Sequence, residues 1–226
     1  MTEKTKPKTI LLKQRAIRRV LLALLPCVAG AVYFFGWRSL FLIVWAGVVG
    51  FVVEWIFARR RKEPVTEAVF VTTTLFALVM PPTVPWHVLT IGVVFAVMFA
   101  KEIFGGFGRN IFNPALAGRC FVYVCFPVAL TAAWAPPADG IAGALNLWTT
   151  ASSPDAITGA TPLANLKAGK ILLSSDSSAT SEIPFDVADG TTVELRRSAL
   201  FRALALGRIS GTMGVTSALL ITIGGL

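Results

Sequence analysis

A short polar stretch past the middle of the chain has the residue types of a surface that another protein could modify. Asp155 supplies a charge and Thr158 a hydroxyl, and both groups could serve recognition. Gly159 and Ala160 carry almost no side-chain bulk, so a second protein's active site could close around the hydroxyl of Thr161. The chemistry that this arrangement allows is modification of that hydroxyl. The alternative is an ordinary surface turn, which has a similar composition.

Three further polar residues lie in apolar or glycine-rich surroundings. Glu54 lies within an apolar run, where an ionisable side chain is functional by default. Its alternative is a simple ion pair with Arg59, five residues further on. Asn110 and Asn113 follow the glycine-rich residues 104–108, and a carboxamide offers a ligand both a donor and an acceptor. The alternative is that both asparagines satisfy the backbone of a broken helix.

The composition predicts that the chain is embedded in a membrane. Of its 226 residues 55% are apolar and 15% are charged, and the mean hydropathy is +0.71. A membrane-spanning helix needs about 20 mostly apolar residues. Residues 20–37 and 68–100 contain no Asp, Glu, Lys or Arg, and residues 40–57 contain only Glu54. Runs of this length predict an integral membrane protein.

The net charge of +9 does not indicate a nucleic-acid partner. The basic residues lie at the ends of the apolar runs, which is how the orientation of membrane helices is encoded. A signal peptide is the other interpretation of the basic N-terminus. Another apolar run follows residues 16–37, whereas a secreted protein would continue with a cleavage site and a polar domain. We therefore expect the first apolar run to remain as a helix.

The three cysteines predict no metal centre. Cys27, Cys120 and Cys125 lie in apolar segments without the clustered spacing of zinc or iron–sulfur ligands. We expect each to be a small apolar side chain.

These patterns predict an all-α integral membrane protein with about five transmembrane helices. A basic cytoplasmic segment, residues 1–19, would precede them, and the helices would occupy residues 20–134. The third and fourth predicted helices are short because Pro81 and Pro82 interrupt the apolar run. Short, interrupted pieces are typical of broken helices that build a site within the membrane. The five predicted helices cover residues 20–35, 40–57, 68–80, 86–100 and 111–134.

The remaining residues are predicted to lie mainly outside the membrane. Residues 135–212, which include the polar stretch at Thr161, would form a long periplasmic loop with little regular structure, since serine, threonine, glycine and proline are frequent. Within this loop, residues 195–206 would form a short amphipathic helix at the outer surface. Residues 213–226 would begin a sixth, truncated helix.

Two blocks of sequence resemble a known family. Residues 101–119 read KEIFGGFGRNIFNPALAGR and resemble its K-E-x-F-G-G-x-G-R-N-x-x-N-P-A-L-A-G-R block, and residues 70–85 are similar to a second block. Residues 155–161, DAITGAT, match D-x-x-[ST]-G-A-T, the motif at which a flavin transferase attaches FMN. The family contains the B subunit of the sodium-translocating NADH:quinone oxidoreductase and the D subunit of the Rnf ferredoxin:NAD oxidoreductase. The resemblance runs from about residue 54 to residue 226.

The resemblance implies cofactors and a cation path. Thr161 would carry FMN as a covalent phosphoester, in a motif read by the flavin transferase. Asn110 and Asn113 match asparagines that contact a second flavin, riboflavin. Glu54 matches a position linked to cation uptake. Residues 50–51 are Gly-Phe, where the quinone reductase branch has two glycines near its quinone site.

The resemblance also implies an electron carrier in the bacterial inner membrane. Electrons would arrive from a second flavinylated subunit, pass through FMN and riboflavin, and reach quinone or run between ferredoxin and NAD. The partners would be the other subunits of the complex and the surrounding lipid. Two alternatives remain open: a secondary transporter, which suits broken helices equally well, and a non-catalytic membrane scaffold. Neither would bind flavin, so an absorption spectrum separates them from an electron carrier.

Overall fold

The fold is mostly helical, with two small sheets. The computed structural model describes residues 11–12, 14–131, 135, 137–138, 143–146, 148, 166–174, 193–209, 211–214 and 217–225. The α-helices are α1 (Arg15–Phe35), α2 (Trp37–Arg61), α3 (Ala68–Leu78), α4 (Trp86–Val97), α5 (Pro114–Cys125), α6 (Pro127–Thr131), α7 (Arg197–Leu206) and α8 (Ala218–Gly225). The strands are β1 (Leu11–Leu12), β2 (Val65–Thr66), β3 (Ile171–Ser174) and β4 (Val193–Arg196).

Helices α1 and α2 form an antiparallel pair joined by a single residue. Gly36 has φ of 84°, a conformation that glycine adopts without a side-chain clash, and it reverses the chain in one step. The two helices have 21 and 25 residues. Among the described residues, they are the two that are long and apolar enough to cross a membrane. The chain therefore turns tightly at Gly36.

The other helices in the apolar region are shorter because prolines limit them. Helix α3 ends at Leu78, just before Pro81, and α4 begins directly after Pro85. The single helix predicted over residues 111–134 is wrong, since α5 ends at Cys125 and α6 begins at Pro127. Proline has no backbone N–H, so the hydrogen-bond ladder is interrupted there. The count of five transmembrane helices stays a prediction.

Close contact between helices depends on small residues. An ideal Cβ at Gly92 of α4 would lie 2.5 Å from the Phe76 ring of α3 and 2.5 Å from Val122 of α5. An ideal Cβ at Gly118 of α5 would lie 2.7 Å from the Cβ of Ala96. The helices therefore approach one another where a larger side chain would separate them, as is usual for helices in a membrane.

Gly50→Ala is expected to lower the free energy of unfolding by about 1–3 kcal/mol through overpacking. The new Cβ would lie 2.3 Å from Cγ2 of Thr73, whose hydroxyl is fixed by a hydrogen bond to the carbonyl of Val69 at 3.0 Å. Gly47→Ala, one turn away, is the control because its Cβ would lie 4.0 Å from the nearest atom, in Phe70. Thermal unfolding in detergent measures both, and equal unfolding temperatures would contradict the packing argument.

The bundle formed by α1–α5 has two ends of different character. We call the end at which Gly36 lies the turn end. We call the opposite end the basic end, since the last turn of α2 and the next residue place four basic side chains there. These are Arg59, Arg60, Arg61 and Lys62.

Segments from the second half of the chain attach to the turn end. The N–H of Ala144 donates to the carbonyl of Tyr33 at 2.8 Å, near the end of α1. The N–H of Gly214 donates to the carbonyl of Leu78 at 2.8 Å, at the end of α3. The described residues on both sides of the polar stretch at Thr161 therefore meet the same end of the bundle.

Aromatic side chains also gather at the turn end. The rings of Trp45 and Trp86 meet edge to face at 6.2 Å, and those of Phe41 and Trp148 lie 5.9 Å apart. The indole N–H of Trp37 donates to a backbone carbonyl at 2.7 Å. Tryptophans concentrate at the boundary between hydrocarbon and water in membrane proteins, so this belt fits a membrane surface at the turn end.

Two small parallel sheets correct the all-α prediction. Strand β1 pairs with β2, so that Leu11 faces Val65, and β3 pairs with β4, so that Ile171 faces Val193. The prediction of little regular structure between residues 135 and 212 is therefore wrong for β3 and β4. Strands of two to four residues are too short to show an alternating pattern. The helix predicted over residues 195–206 is present as α7.

Candidate functional site

The predicted attachment stretch lies outside the described residues. Asp155, Thr158, Gly159, Ala160 and Thr161 all belong to it. The attachment of FMN to Thr161 therefore stays a prediction.

The two predicted flavin-contacting asparagines lie in the loop that precedes α5. The Oδ1 atom of Asn113 accepts a hydrogen bond from the N–H of Ala115 at 3.0 Å and caps the helix. The Nδ2 atom of Asn110 donates to the carbonyl of Phe112 at 2.9 Å. Both side chains thus serve backbone groups at a helix break, which was the alternative interpretation. Within the described part of the chain, Nδ2 of Asn113 and Oδ1 of Asn110 have no partner.

Three glycines shape the same loop at the basic end. Gly105, Gly106 and Gly108 have φ values of 103°, 92° and 82°. Residues with a side chain rarely adopt such angles, so these positions require glycine for backbone reasons. Their positive φ values therefore indicate a backbone role and not helix packing.

A π-helical turn, Met98–Glu102, continues α4 toward this loop. Its wider hydrogen bonding is seen where the N–H of Ile103 donates to the carbonyl of Met98 at 3.0 Å. The consecutive residues Lys101 and Glu102 are both buried, with exposures of 2% and 3%. Single π-turns within α-helices are frequent at functional sites.

Glu54 pairs with Lys101 across the bundle. The side chain of Glu54 is 3% exposed, and its Oε2 accepts a hydrogen bond from Nζ of Lys101. Its Oε1 accepts from the N–H of Thr66 at 3.0 Å and from the Thr66 hydroxyl at 2.7 Å. The alternative pairing with Arg59 is wrong: Arg59 lies over the ring of Trp55 at 5.3 Å.

The next residue along the π-turn forms a second ion pair. Oε2 of Glu102 accepts from Nη2 of Arg61, and the Glu102 carbonyl accepts from Nη1 of Arg61 at 3.2 Å. Oε1 of Glu102 is buried and has no hydrogen-bond partner among the described residues. Arg61 also lies 3.3 Å from the exposed carboxylate of Glu63.

The two ion pairs balance one another in charge, with Arg61, whose side chain is 29% exposed, as their outermost member. Glu54 and Arg61 are seven residues apart on α2, which is about two helical turns, so both face the π-turn. The π-turn carries a basic residue, Lys101, followed directly by an acidic residue, Glu102. Removing one partner of a buried ion pair leaves the other charge uncompensated. This costs far more free energy than the loss of a surface ion pair. We call Glu54, Thr66, Lys101, Glu102 and Arg61 the buried charge cluster.

A cavity of about 450 Å³ lies between α2 and α3. Phe51 and Phe70 form part of its lining, and their rings stack at 6.0 Å with 10° between the planes. Gly47 and Thr74 also line it. The cavity is therefore mainly apolar and lies beside the Gly-Phe pair at residues 50–51.

The sequence matches one family along almost its whole length. The profile described as the NQR2, RnfD, RnfE family matches residues 8–226. The chain belongs to this family. Family membership and the two long apolar helices identify it as a membrane protein.

Relatives in the NQR2, RnfD, RnfE family carry two kinds of name. The D subunit of an ion-translocating oxidoreductase complex of Alcanivorax borkumensis is 36% identical over 154 residues, which are 65% of this chain and 45% of the relative. The B subunit of a Na⁺-translocating NADH-quinone reductase of Klebsiella pneumoniae is 38% identical over 196 residues, which are 87% of this chain and 39% of the relative. The chain thus spans less than half the length of these curated relatives.

In this member of the NQR2, RnfD, RnfE family, sequence reasoning missed Lys101 and Glu102 as site residues. Lys101 follows a long apolar run and so has the position of an ordinary basic residue at a helix end. The sequence signal that could have identified these two residues is the pattern of opposite charges. Glu54 and Arg61 lie seven residues apart on one helix, and Lys101 and Glu102 form an oppositely charged doublet after another.

Proposed function

We propose that this chain is a membrane subunit of an ion-translocating redox complex and carries FMN as a phosphoester on Thr161. The proposal rests on the coincidence of family membership with the stretch DAITGAT at residues 155–161. Relatives with both kinds of name are subunits of ion-translocating oxidoreductases. Asp155, Thr158, Gly159 and Ala160 would be read by the flavin transferase.

The hydrogen bonds between later segments and the turn end support an extramembrane location for Thr161. The segments before and after residues 149–165 are bound to that end through Ala144 and Gly214. The basic end carries the arginines that mark a cytoplasmic surface. We therefore propose a multi-pass protein of the inner membrane with a cytoplasmic N-terminus and residues 135–212 in the periplasm.

A covalent anchor gives this chain a fixed redox group. The isoalloxazine ring, when attached, supplies the electron-transfer chemistry, and the protein supplies position and electrostatics. Esterification of Thr161 removes the free hydroxyl and turns the cofactor's phosphate monoester into a diester of lower charge. The cofactor then cannot diffuse away into the periplasm.

The loop before α5 suits a second, non-covalent flavin. The free amide donor of Asn113 and the free carbonyl acceptor of Asn110 could contact the polar edge of riboflavin. Gly108, two residues before Asn110, has a positive φ and no atom within 4 Å of its Cβ position, so the backbone there forms an open turn next to them. This loop lies at the basic end, so electrons passing between the two flavin positions would cross the bundle.

The remaining partners follow from the same proposal. Glu54 would belong to the path of the translocated cation, and the other subunits of the complex would complete that path. Quinone is a proposed electron acceptor, and the apolar cavity beside Phe51 and Phe70 is compatible with an apolar ring. The surrounding lipid covers the exposed apolar faces of α1 and α2.

The proposal is tested by producing the chain together with a flavin transferase and purifying it in detergent. The purified protein is expected to show flavin absorption that stays with the polypeptide after denaturation and removal of small molecules. Production without the transferase is the control and is expected to give colourless polypeptide. A colourless product in both cases would favour a secondary transporter or a non-catalytic scaffold.

A further inference from the structure

The Glu54–Lys101 pair has the ligand set of a monovalent-cation site in which an ammonium group takes the place of the cation. Nζ of Lys101 contacts Oε2 of Glu54 and lies 3.3 Å from the hydroxyl oxygen of Thr66. The Thr66 hydroxyl donates its own proton to Oε1 of Glu54, so its lone pairs are available to Nζ. A carboxylate and a hydroxyl are the hard oxygen ligands that alkali and alkaline-earth cations bind.

A second buried acceptor lies next to this pair without a partner. Glu102 follows Lys101 directly, is 3% exposed, and has its Oε1 atom unpaired within the described residues. Lys101, the preceding residue, pairs with Glu54, and Arg61 contacts the other carboxylate oxygen of Glu102. Native proteins rarely leave a buried carboxylate oxygen unsatisfied, so Oε1 of Glu102 has the capacity to accept one further donor.

We propose that Lys101 is a tethered competitor at a monovalent-cation site formed by Glu54 and Thr66. A cation binds there only when the ammonium group leaves, and Oε1 of Glu102 accepts the displaced ammonium. This inference rests on the proposed role of Glu54 in the cation path and adds the residue that regulates it.

Charge balance supports the uptake of one monovalent cation. The carboxylates of Glu54 and Glu102 are matched by Lys101 and Arg61, and Arg61 also lies 3.3 Å from the carboxylate of Glu63. These three carboxylates outnumber the two cationic side chains by one, so a monovalent cation at Glu54 leaves the ammonium and Arg61 to be compensated by Glu102 and Glu63. Withdrawal of Lys101 without a replacement would leave the buried carboxylate of Glu54 unpaired, which is strongly unfavourable. Displacement and cation binding are therefore coupled.

The test removes the ammonium and asks whether a free cation takes its place. Lys101→Met keeps most of the length of the side chain without its charge and leaves the position of Nζ vacant. Unfolding temperatures are measured in detergent with sodium, potassium or lithium chloride, each against choline chloride at equal ionic strength. The wild-type protein is expected to show no difference between salts. Lys101→Met is expected to unfold about 5 °C higher in at least one alkali chloride, and the double variant Glu54→Gln/Lys101→Met in none.

Three other outcomes would overturn the proposal. A Lys101→Met protein that responds to the alkali chlorides as the wild type does would show that no cation replaces the ammonium. A response that persists in the double variant would show that the cation binds elsewhere. A Lys101→Met protein that folds only with an alkali cation supports the proposal, and one that folds in none of the salts contradicts it.

The assay separates this inference from the redox proposal because it needs no flavin. The same preparations are examined for covalent flavin. If the protein is flavinylated but the unfolding temperature of its Lys101→Met variant does not depend on alkali cations, only the competitor role of Lys101 is overturned. A colourless protein whose variant responds to them would overturn the redox role alone.

Discussion

Thr161→Ala is expected to remove all covalent flavin from the chain. The phosphoester needs a hydroxyl oxygen on the anchoring side chain, and alanine has none. The loss should be complete and should not depend on the amount of transferase, because no bond can form. Flavin fluorescence of the chain after denaturing electrophoresis measures it, with protein staining to confirm that the variant accumulates at the level of the wild type.

Two matched variants make the result specific to the position. Thr149→Ala removes a neighbouring hydroxyl outside the stretch DAITGAT and is expected to leave the fluorescence unchanged. Thr161→Ser keeps a hydroxyl at the anchor and is expected to retain some fluorescence. If the Thr161→Ala band fluoresced as strongly as the wild type, the flavin would be attached elsewhere.

Glu54→Gln is expected to destabilise the protein by about 3–5 kcal/mol, the cost of leaving one partner of a buried ion pair unpaired. The neutral amide is nearly the same size, so packing changes little. Lys101, which is 2% exposed, then loses its own carboxylate and must share that of Glu102 with Arg61. The unfolding temperature should fall by roughly 10 °C in detergent.

Controls for this prediction are an exposed carboxylate and a charge-free pair. Glu63 lies 3.3 Å from Arg61 but its side chain is 57% exposed, so Glu63→Gln is expected to change stability by less than about 0.5 kcal/mol. Glu54→Gln/Lys101→Met removes both buried charges and is expected to recover most of the loss. Equal effects of Glu54→Gln and Glu63→Gln would mean that burial of the pair does not determine its contribution.

The long helices were predictable because their signal is local. Helices α1 and α2 follow from apolar runs about as long as a membrane is thick. The end of α3 and the start of α4 follow from Pro81 and Pro85, since proline lacks the backbone N–H that a preceding helix would need in order to continue. The division of the predicted fifth helix at Pro127 was missed because the residues on both sides of it are apolar, so hydropathy shows no interruption there.

The buried charge cluster was not predictable in the same way. Glu54 stood out by its charge, but its partner Lys101 lies 47 residues away and only the packing of the helices brings them together. The π-turn that buries both Lys101 and Glu102 follows a run of apolar residues, and no sequence pattern in that run predicts it. Strands β3 and β4 are four residues each and pair across a gap of many residues, so the alternating signal is weak.

The asparagines show how one residue type supports two interpretations. Asn113 has the position and the geometry of a helix cap, and a cap uses only its Oδ1 atom. Its amide nitrogen stays available for a ligand. Backbone capping and flavin contact are therefore compatible at this residue, and a sequence pattern alone cannot separate them.

The most direct test of the central claim is mass spectrometry of the peptide that contains Thr161, after production with a flavin transferase. The proposal predicts that the peptide carries the mass of FMN less one water and that fragmentation assigns the adduct to Thr161. An unmodified peptide from a preparation in which a known substrate of the transferase is modified would contradict it.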